Sequence, residues 1–485
     1  MTDRSKGRLD LVRGLGLLAA VSIIIGNVIG TGVFLKARVM TCNVGSPGWV
    51  LTAWIAAGLL SLAGALTYAE IAAMKPKAAG DYVFLRDAYG RVTSFLYGWM
   101  QMFIAKTGSQ AAVSVAFAIF LNDFLGGTLR RVLYTADIFG YPYELTSLQI
   151  VAVMMIVIFT TINCASVWVG GQLATYFTAI KIALVLLVGI GAFLLADGSF
   201  GNFAMNAASG TCEEVADTVK YGAAGFTFLG GFSAAMIGAL WGYDGWNNVT
   251  FVAGEVKDPG RNIPIALIGG TALIMVLYVI INAGYFYVLT PEMIASVSTQ
   301  SSVAQEVAVR FLGAGALSLM AIGLMASSAG TLHTSILSGA RVPYAMARDG
   351  LMFERLGRLS EATRVPVGAL IVQGIWACLL ALSGSFDTLT NYVVFGSWIF
   401  YTLVGGSIFV FRRKYPDMER PYKAFGYPVV PILFILTATA LLVNTVATDT
   451  MNSLIGIFLL LLGLPVYSYL NRIYGGRGES ESSDG

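Results

Sequence analysis

Charge is scarce in this chain. Asp, Glu, Lys and Arg make up 12% of its 485 residues, about half the share carried by soluble globular proteins. Hydrophobic residues make up 56% and the mean hydropathy is +0.74. Apolar runs of about 18 to 25 residues, each long enough to cross a bilayer, recur along nearly the whole length. A soluble domain is excluded, and a polytopic membrane protein is implied. The net charge of +3 is spread over loops and forms no basic patch, so nucleic acid is not an expected partner. Histidine occurs once. The four cysteines, Cys42, Cys164, Cys212 and Cys378, have no metal-ligand spacing, so neither a metal nor a cofactor is expected. No P-loop, dinucleotide fingerprint or HExxH motif is present, which argues against an enzyme or an ATP-driven pump.

The polar stretch 1–10 precedes an apolar run over 11–35, which is too long for a cleaved leader and reads as a first span. Twelve spans are expected, centred near residues 23, 61, 107, 154, 184, 240, 276, 325, 374, 400, 438 and 461. Of the 30 Lys and Arg residues, 22 fall in one alternating set of segments and 6 in the other, with Lys106 and Lys181 inside spans. This asymmetry predicts a multi-pass protein of the cell membrane with both termini in the cytoplasm. The chain divides into a cytoplasmic N-terminus (1–10), five spans (11–197), an external loop (198–231), five further spans (232–412), a cytoplasmic loop with spans eleven and twelve (413–471), and a low-complexity cytoplasmic tail expected to be disordered (472–485). Cys42 and Cys212 both fall outside and could pair, although no spacing argument decides it. Glu70, closing span two, reads as solvated.

Two apolar spans are interrupted by glycine. Span one contains Gly26, Asn27, Val28, Ile29, Gly30, Thr31 and Gly32; span six contains Gly242, Tyr243, Asp244 and Gly245. Gly26, Gly30 and Gly245 allow the helix to unwind, and backbone left unpaired at membrane depth is tolerated only around a cavity or ligand. Five spans separate the two breaks, so the halves face opposite ways. This predicts an inverted repeat of spans 1–5 and 6–10 with a binding site at mid-membrane. Where the first helix resumes, Thr31 and Gly32 offer N–H groups to a carboxylate. The carbonyls of Val28, Trp241, Gly242 and Asp244 suit an ammonium. The resulting site is shaped for a zwitterion, and an α-amino acid is the natural ligand. Close helix packing through Gly26 and Gly30 is the bland alternative. Trp241 is placed to gate the site or simply to pack between helices. Asp244 could favour cationic side chains, take up a proton, or merely cap local N–H groups. Lys181 lies mid-span, where a charge must face protein or water. Its ammonium can hold orphan carbonyls of a broken helix where a coupled carrier would place sodium; the alternative is snorkelling. Lys106 is a weaker candidate of the same kind, and the lone His333 reads as a hydrogen-bonded packing residue.

The stretch Ile23–Phe34 resembles the first-helix motif of the amino acid–polyamine–organocation superfamily. Three further stretches resemble its L-type amino acid transporter branch: Tyr68-Ala69-Glu70 with Pro76, Gly80, Asp81 and Tyr82; Tyr243–Asn247 running on through Gly254–Pro264; and Lys414–Lys423. These motifs span about residues 10–425. The resemblance implies a LeuT-type 5+5 inverted repeat with twelve helices, spans one and six being discontinuous, and sodium-independent amino acid exchange. It assigns Thr31 and Gly32 to the substrate carboxylate, the carbonyls of Val28, Trp241, Gly242 and Asp244 to its amine, and Trp241 to the gate. Asn163-Cys164-Ala165-Ser166-Val167 leading to Gln172 and Lys181 is similar to the family's fifth helix, whose lysine stands in for sodium. Two departures stand out. Residues 125–145 lack the cysteine that links animal members to a heavy chain, so a stand-alone, microbial-type member is expected. Lys106 occupies the place of an arginine common in span three. The expected activity is exchange of small to medium neutral L-amino acids by alternating access, the rivals being proton-coupled uptake of neutral or cationic amino acids and a non-transporting sensor.

Overall fold

The computed structural model describes residues 11–478 apart from 12, 139–140, 166, 207–209, 214, 299–300, 314, 384–385 and 449. The first span is two helices, α1 (Leu17–Val28) and α2 (Gly32–Val44). The long α3 (Pro47–Met74) begins at a Ser46 cap whose side chain accepts from Trp49 N, with Pro47 at the first helical position. A short α4 (Gly80–Tyr89) leads to α5 (Arg91–Met100), a π-helical turn over Gln101–Ala105, and α6 (Lys106–Phe124). A hairpin of β1 (Val132–Ile138) and β2 (Tyr141–Thr146) follows, in a loop where no strand was expected. Next come α7 (Ser147–Asn163), α8 (Val167–Leu195), α9 (Phe228–Tyr243), a 3₁₀ stretch over Asn248–Glu255, and α10 (Pro259–Val288). The remainder is α11 (Pro291–Ala295), α12 (Val303–Leu312), α13 (Gly315–Gly339), α14 (Arg341–Arg348), α15 (Val367–Ser383), α16 (Phe386–Lys414), α17 (Val429–Thr448), α18 (Thr450–Leu461) and α19 (Gly463–Gly478).

Each of the twelve expected centres falls in a helix. Among the described residues, nine helical stretches are long and apolar enough to cross a membrane, and α7 and α15 are shorter apolar helices. Helix α9 is cut to 16 residues by the second break. The last helix continues to Gly478, past the point where the tail was expected to begin; 479–485 and the N-terminal 1–10 lie outside the described residues. Both helices of the first span pack centrally, α1 against α8, α10 and α13 and α2 against α9. Outer faces are apolar: Leu436 and Val443 on α17 are more than 60% exposed, as lipid-facing side chains are.

Glu70 is not solvated. It is fully buried and accepts from Arg412 Nε (2.9 Å) and Nη2 (2.7 Å) and from Ala424 N (2.7 Å). The segment after α16 folds back over the end of α3 and closes it from water. Cys42 and Cys212 form a disulfide that ties the end of α2 to the loop before α9. At the opposite end of the first span, Leu15 N donates to Glu255 O (2.9 Å) and Lys257 N to Leu15 O (2.8 Å). Beside this backbone pairing, Arg341 and Glu255 form a fully buried two-point ion pair at 2.9 and 3.0 Å. On the same face of the protein, Arg86 bonds both Asp349 oxygens (2.8 and 2.7 Å). Asp87 sits between Lys75 and Arg86; burial would raise its carboxyl, but the Lys75 hydrogen bond and the Arg86 charge outweigh it and hold it below the ordinary carboxylate range.

Candidate functional site between two broken helices

Helix α1 stops at Val28 because Ile29 leaves helical geometry (ψ 85°) and Gly30 N turns back to Val28 O at 2.8 Å. Helix α2 starts at Gly32. Among the described residues, the N–H groups of Thr31 and Gly32 have no backbone acceptor, as expected for a helix start. Helix α9 stops at Tyr243: Asp244 turns extended (ψ 138°), and Gly245 takes a φ of +98°, which favours glycine. The two breaks touch. A Cβ on Gly32 would lie 2.7 Å from Gly242 Cα, and one on Gly245 would lie 3.0 Å from Asn27 Cβ.

Between them is a cavity of about 20 Å³, room for about one water molecule. Val28, Thr31, Gly32, Trp241 and Asp244 line it, with Asn27, Gly30, Ser109, Val113 and Thr331. Thr31 Oγ1 has no hydrogen-bond partner among the described residues. Gly242 does not line the cavity; it packs under Trp54, whose ring would be 2.5 Å from an added Cβ. Gly26 likewise lies behind it, its carbonyl oxygen accepting from Lys181 Nζ at 2.5 Å.

Lys181 is fully buried and also donates to Thr331 Oγ1 at 2.6 Å. Thr331 reaches Gly26 O (3.2 Å) and Ile29 O (3.4 Å), and Ser327 Oγ reaches Ile29 O (3.3 Å). One ammonium and two hydroxyls therefore take the last carbonyls of α1. Side chains thus meet backbone acceptors, Gly26 O and Ile29 O, that would be costly bare in a membrane.

Several residues of the site escaped sequence reasoning. Tyr278, in the middle of α10, donates from its hydroxyl to both Val28 O (2.8 Å) and Gly242 O (2.9 Å). It joins the two breaks at the carbonyls that sequence analysis assigned to an amine. A single hydroxyl hydrogen serves both, so acceptor capacity remains at each. Its signal was a phenol within an apolar run. The second break is held by distant side chains. Asp81 of α4 accepts from Asn247 Nδ2 (2.6 Å) and Thr250 Oγ1 (2.7 Å). Tyr401 of α16 donates to Asp244 Oδ1 (2.9 Å), and Lys106 donates to Asn248 Oδ1 (2.5 Å). Lys106 points inward at the end of the π-helical turn, where Thr107 Oγ1 bonds Met102 O five residues back; such turns re-aim side chains at functional sites. His333 is a packing residue, bonded to Asn163 Nδ2 (3.0 Å) and Gly170 O (2.9 Å). Among the described residues, no three His, Cys, Asp or Glu side chains converge as a metal site would need.

A helical membrane protein whose two interrupted spans meet around a small polar cavity, their loose backbone held by buried charges, is built as a secondary transporter. Comparison with known proteins makes this specific. The chain belongs to the amino acid permease family, whose family model matches residues 15–464. It is 30% identical over 446 residues to the b(0,+)-type amino acid transporter 1 of Mus musculus, covering 91% of this chain and 84% of the relative. It is also 30% identical over 460 residues to the Serine/threonine exchanger SteT of Bacillus subtilis (strain 168), covering 94% and 96%. Identity to the Large neutral amino acids transporter small subunit 2 of Homo sapiens is 30% over 463 residues, covering 95% and 81%. The family is one of carriers, not enzymes.

Proposed function

We propose that this protein is a sodium-independent exchanger of small to medium neutral L-amino acids, working by alternating access. The observation that carries the reading is the meeting of the two breaks. Thr31 and Gly32 offer N–H groups at the start of α2, acceptors lie opposite on α1 and α9, and the Lys181 ammonium occupies the Gly26 carbonyl that a sodium ion would otherwise need. Substrate carboxylate binds at Thr31 and Gly32, its amine at the carbonyls of Val28, Trp241, Gly242 and Asp244, and Trp241 closes over it. A cavity of about 20 Å³ belongs to a closed state that must widen to admit an amino acid. The relatives named as exchangers and amino acid transporters support this assignment.

The remaining architecture follows the same reading: twelve spans, a LeuT-type 5+5 inverted repeat and both termini in the cytoplasm of a cell-membrane protein. The Cys42–Cys212 disulfide supports that orientation, because disulfides persist on the oxidising side, and it lies at the end of span one opposite Leu15. The chain acts without a disulfide-linked heavy chain, since residues 125–145 hold no cysteine.

Radiolabelled uptake into sodium-free proteoliposomes tests the reading. Uptake that requires an unlabelled amino acid inside supports exchange. Accumulation in empty vesicles driven by a proton gradient replaces it with symport, and binding without uptake replaces it with a sensor.

A further inference from the structure

We propose that the β1–β2 hairpin is a membrane seat. Its root rests in the headgroup layer of the adjacent leaflet, with Val132, Leu133 and Tyr134 at the acyl-chain boundary and Arg130 and Arg131 on anionic phospholipid headgroups. The hairpin joins α6 to α7 on the side that carries the Cys42–Cys212 disulfide, which is the outer side in the orientation proposed above.

Three consecutive apolar side chains of β1 are exposed, Val132 at 52%, Leu133 at 56% and Tyr134 at 61%. Arg130 and Arg131 directly precede them and are exposed too. The pairing register slips between Val132 and Tyr134, a bulge of the kind that re-aims side chains at a sheet edge. The root of the hairpin is pinned to helix ends. Leu129 N donates to Asn122 Oδ1 of α6 (3.0 Å), and Ser147 N, at the start of α7, donates to Arg131 O (2.9 Å). From β2, the Tyr143 hydroxyl donates to Leu382 O near the end of α15 (2.9 Å).

These pins set the depth of the hairpin. Helices α7 and α15 have 17 residues each, about 26 Å of helix beside a hydrocarbon core of about 30 Å. Neither spans the core with length to spare. On α7 an exposed apolar band of Ile150, Met154, Val157 and Ile158 begins three residues after Ser147, so Ser147 lies at the edge of the core. Val132, Leu133 and Tyr134 stand within about 10 Å of that point along an extended strand, which keeps them in the headgroup layer. Left in water they would form an apolar patch continuous with the lipid-facing band of α7. In the layer, tyrosine and arginine take the places these residues favour at a membrane interface. The hairpin carboxylates, Asp137 and Glu144, fall farther along it towards the turn. The root is therefore positive, and an anionic headgroup complements it.

The test is site-directed fluorescence quenching in the full chain. Cys164→Ala with Cys378→Ala keeps the disulfide and removes both free thiols. Leu133→Cys or Tyr134→Cys is then labelled with an environment-sensitive fluorophore, in vesicles of phosphatidylcholine with phosphatidylglycerol. Two sites give the reference values: Met154→Cys on the lipid-facing side of α7, and Thr218→Cys in an exposed loop. A nitroxide-bearing lipid should quench the labels at 133 and 134 about as strongly as the label at 154. Iodide should quench them at least about threefold less than the label at 218, because the layer beside the core excludes it. Arg130→Gln combined with Arg131→Gln should lower lipid quenching at 133 about twofold in these vesicles and leave it unchanged in phosphatidylcholine alone. Iodide quenching at 133 and 134 equal to that at 218 overturns the seat and leaves the patch to a water-borne protein. Lipid quenching that the arginine changes do not move overturns the headgroup contact. No transport is measured, so these outcomes stand apart from the exchange reading.

Discussion

The Lys181 ammonium lies 2.5 Å from Gly26 O, across 155 residues of sequence. Helix α8 thereby holds the loose end of α1 from behind, and Thr331 of α13 shares the load at 2.6 Å from the same ammonium. In the exchange proposed above, a cation that arrives with the protein needs no supply from solution, and this is how Lys181 would permit transport without sodium. Lys181→Ala should lower exchange more than tenfold while costing ~1–3 kcal/mol of stability, the range for an unmet buried hydrogen bond. Exchange assays alongside thermal melting of the purified protein check this; full exchange by the variant would remove Lys181 from the mechanism.

Tyr278 joins the breaks through Val28 O and Gly242 O. Tyr278→Phe keeps the ring packed against Trp54 and Tyr243 and removes only the hydroxyl. The expected result is a KM for exchange raised roughly 3- to 10-fold, about 1 kcal/mol for one neutral hydrogen bond, with a smaller change in melting temperature. An unchanged KM would show that the hydroxyl is not part of the hinge.

Gly32 faces Gly242 with no room for a side chain: an added Cβ would stand 2.7 Å from a backbone carbon. Backbone cannot retreat as a flexible side chain can. Gly32→Ala should separate the breaks at an overpacking cost of ~1–3 kcal/mol and lower exchange about tenfold or more, read as initial uptake rate per mole of protein in the membrane.

Arg341 and Glu255 are both fully buried and bonded at two points. Removing one partner strands the other charge, so Arg341→Met should destabilise by ~3–5 kcal/mol. Arg341→Met combined with Glu255→Leu should recover most of that loss in detergent melting curves. The pair adjoins the Leu15 pairing that closes this end of the broken helices. The double variant should therefore stay folded yet show altered accessibility of this face to a thiol probe placed at position 16.

Spans, breaks and the inward charge of Lys181 were legible in sequence because each is a local consequence of chemistry. Apolar run length sets membrane crossing, glycines at 30 and 245 fall at the breaks while Gly26 stays within α1, and a mid-span lysine has no stable place except inside the protein. Glu70 was misread because its burial depends on Arg412 and on Ala424 N, more than 340 residues away. No local rule reveals that a later loop folds over it. The Cys42–Cys212 pairing, the Tyr278 bridge and the Asp81 and Lys106 contacts to the second break were undecided or unseen for the same reason. Sequence by itself determined that this is a membrane protein with two interrupted helices. Only the tertiary structure decided which side chains meet them, because partners in a helical bundle are set by packing across long stretches of chain, and hydropathy and spacing carry no record of that register.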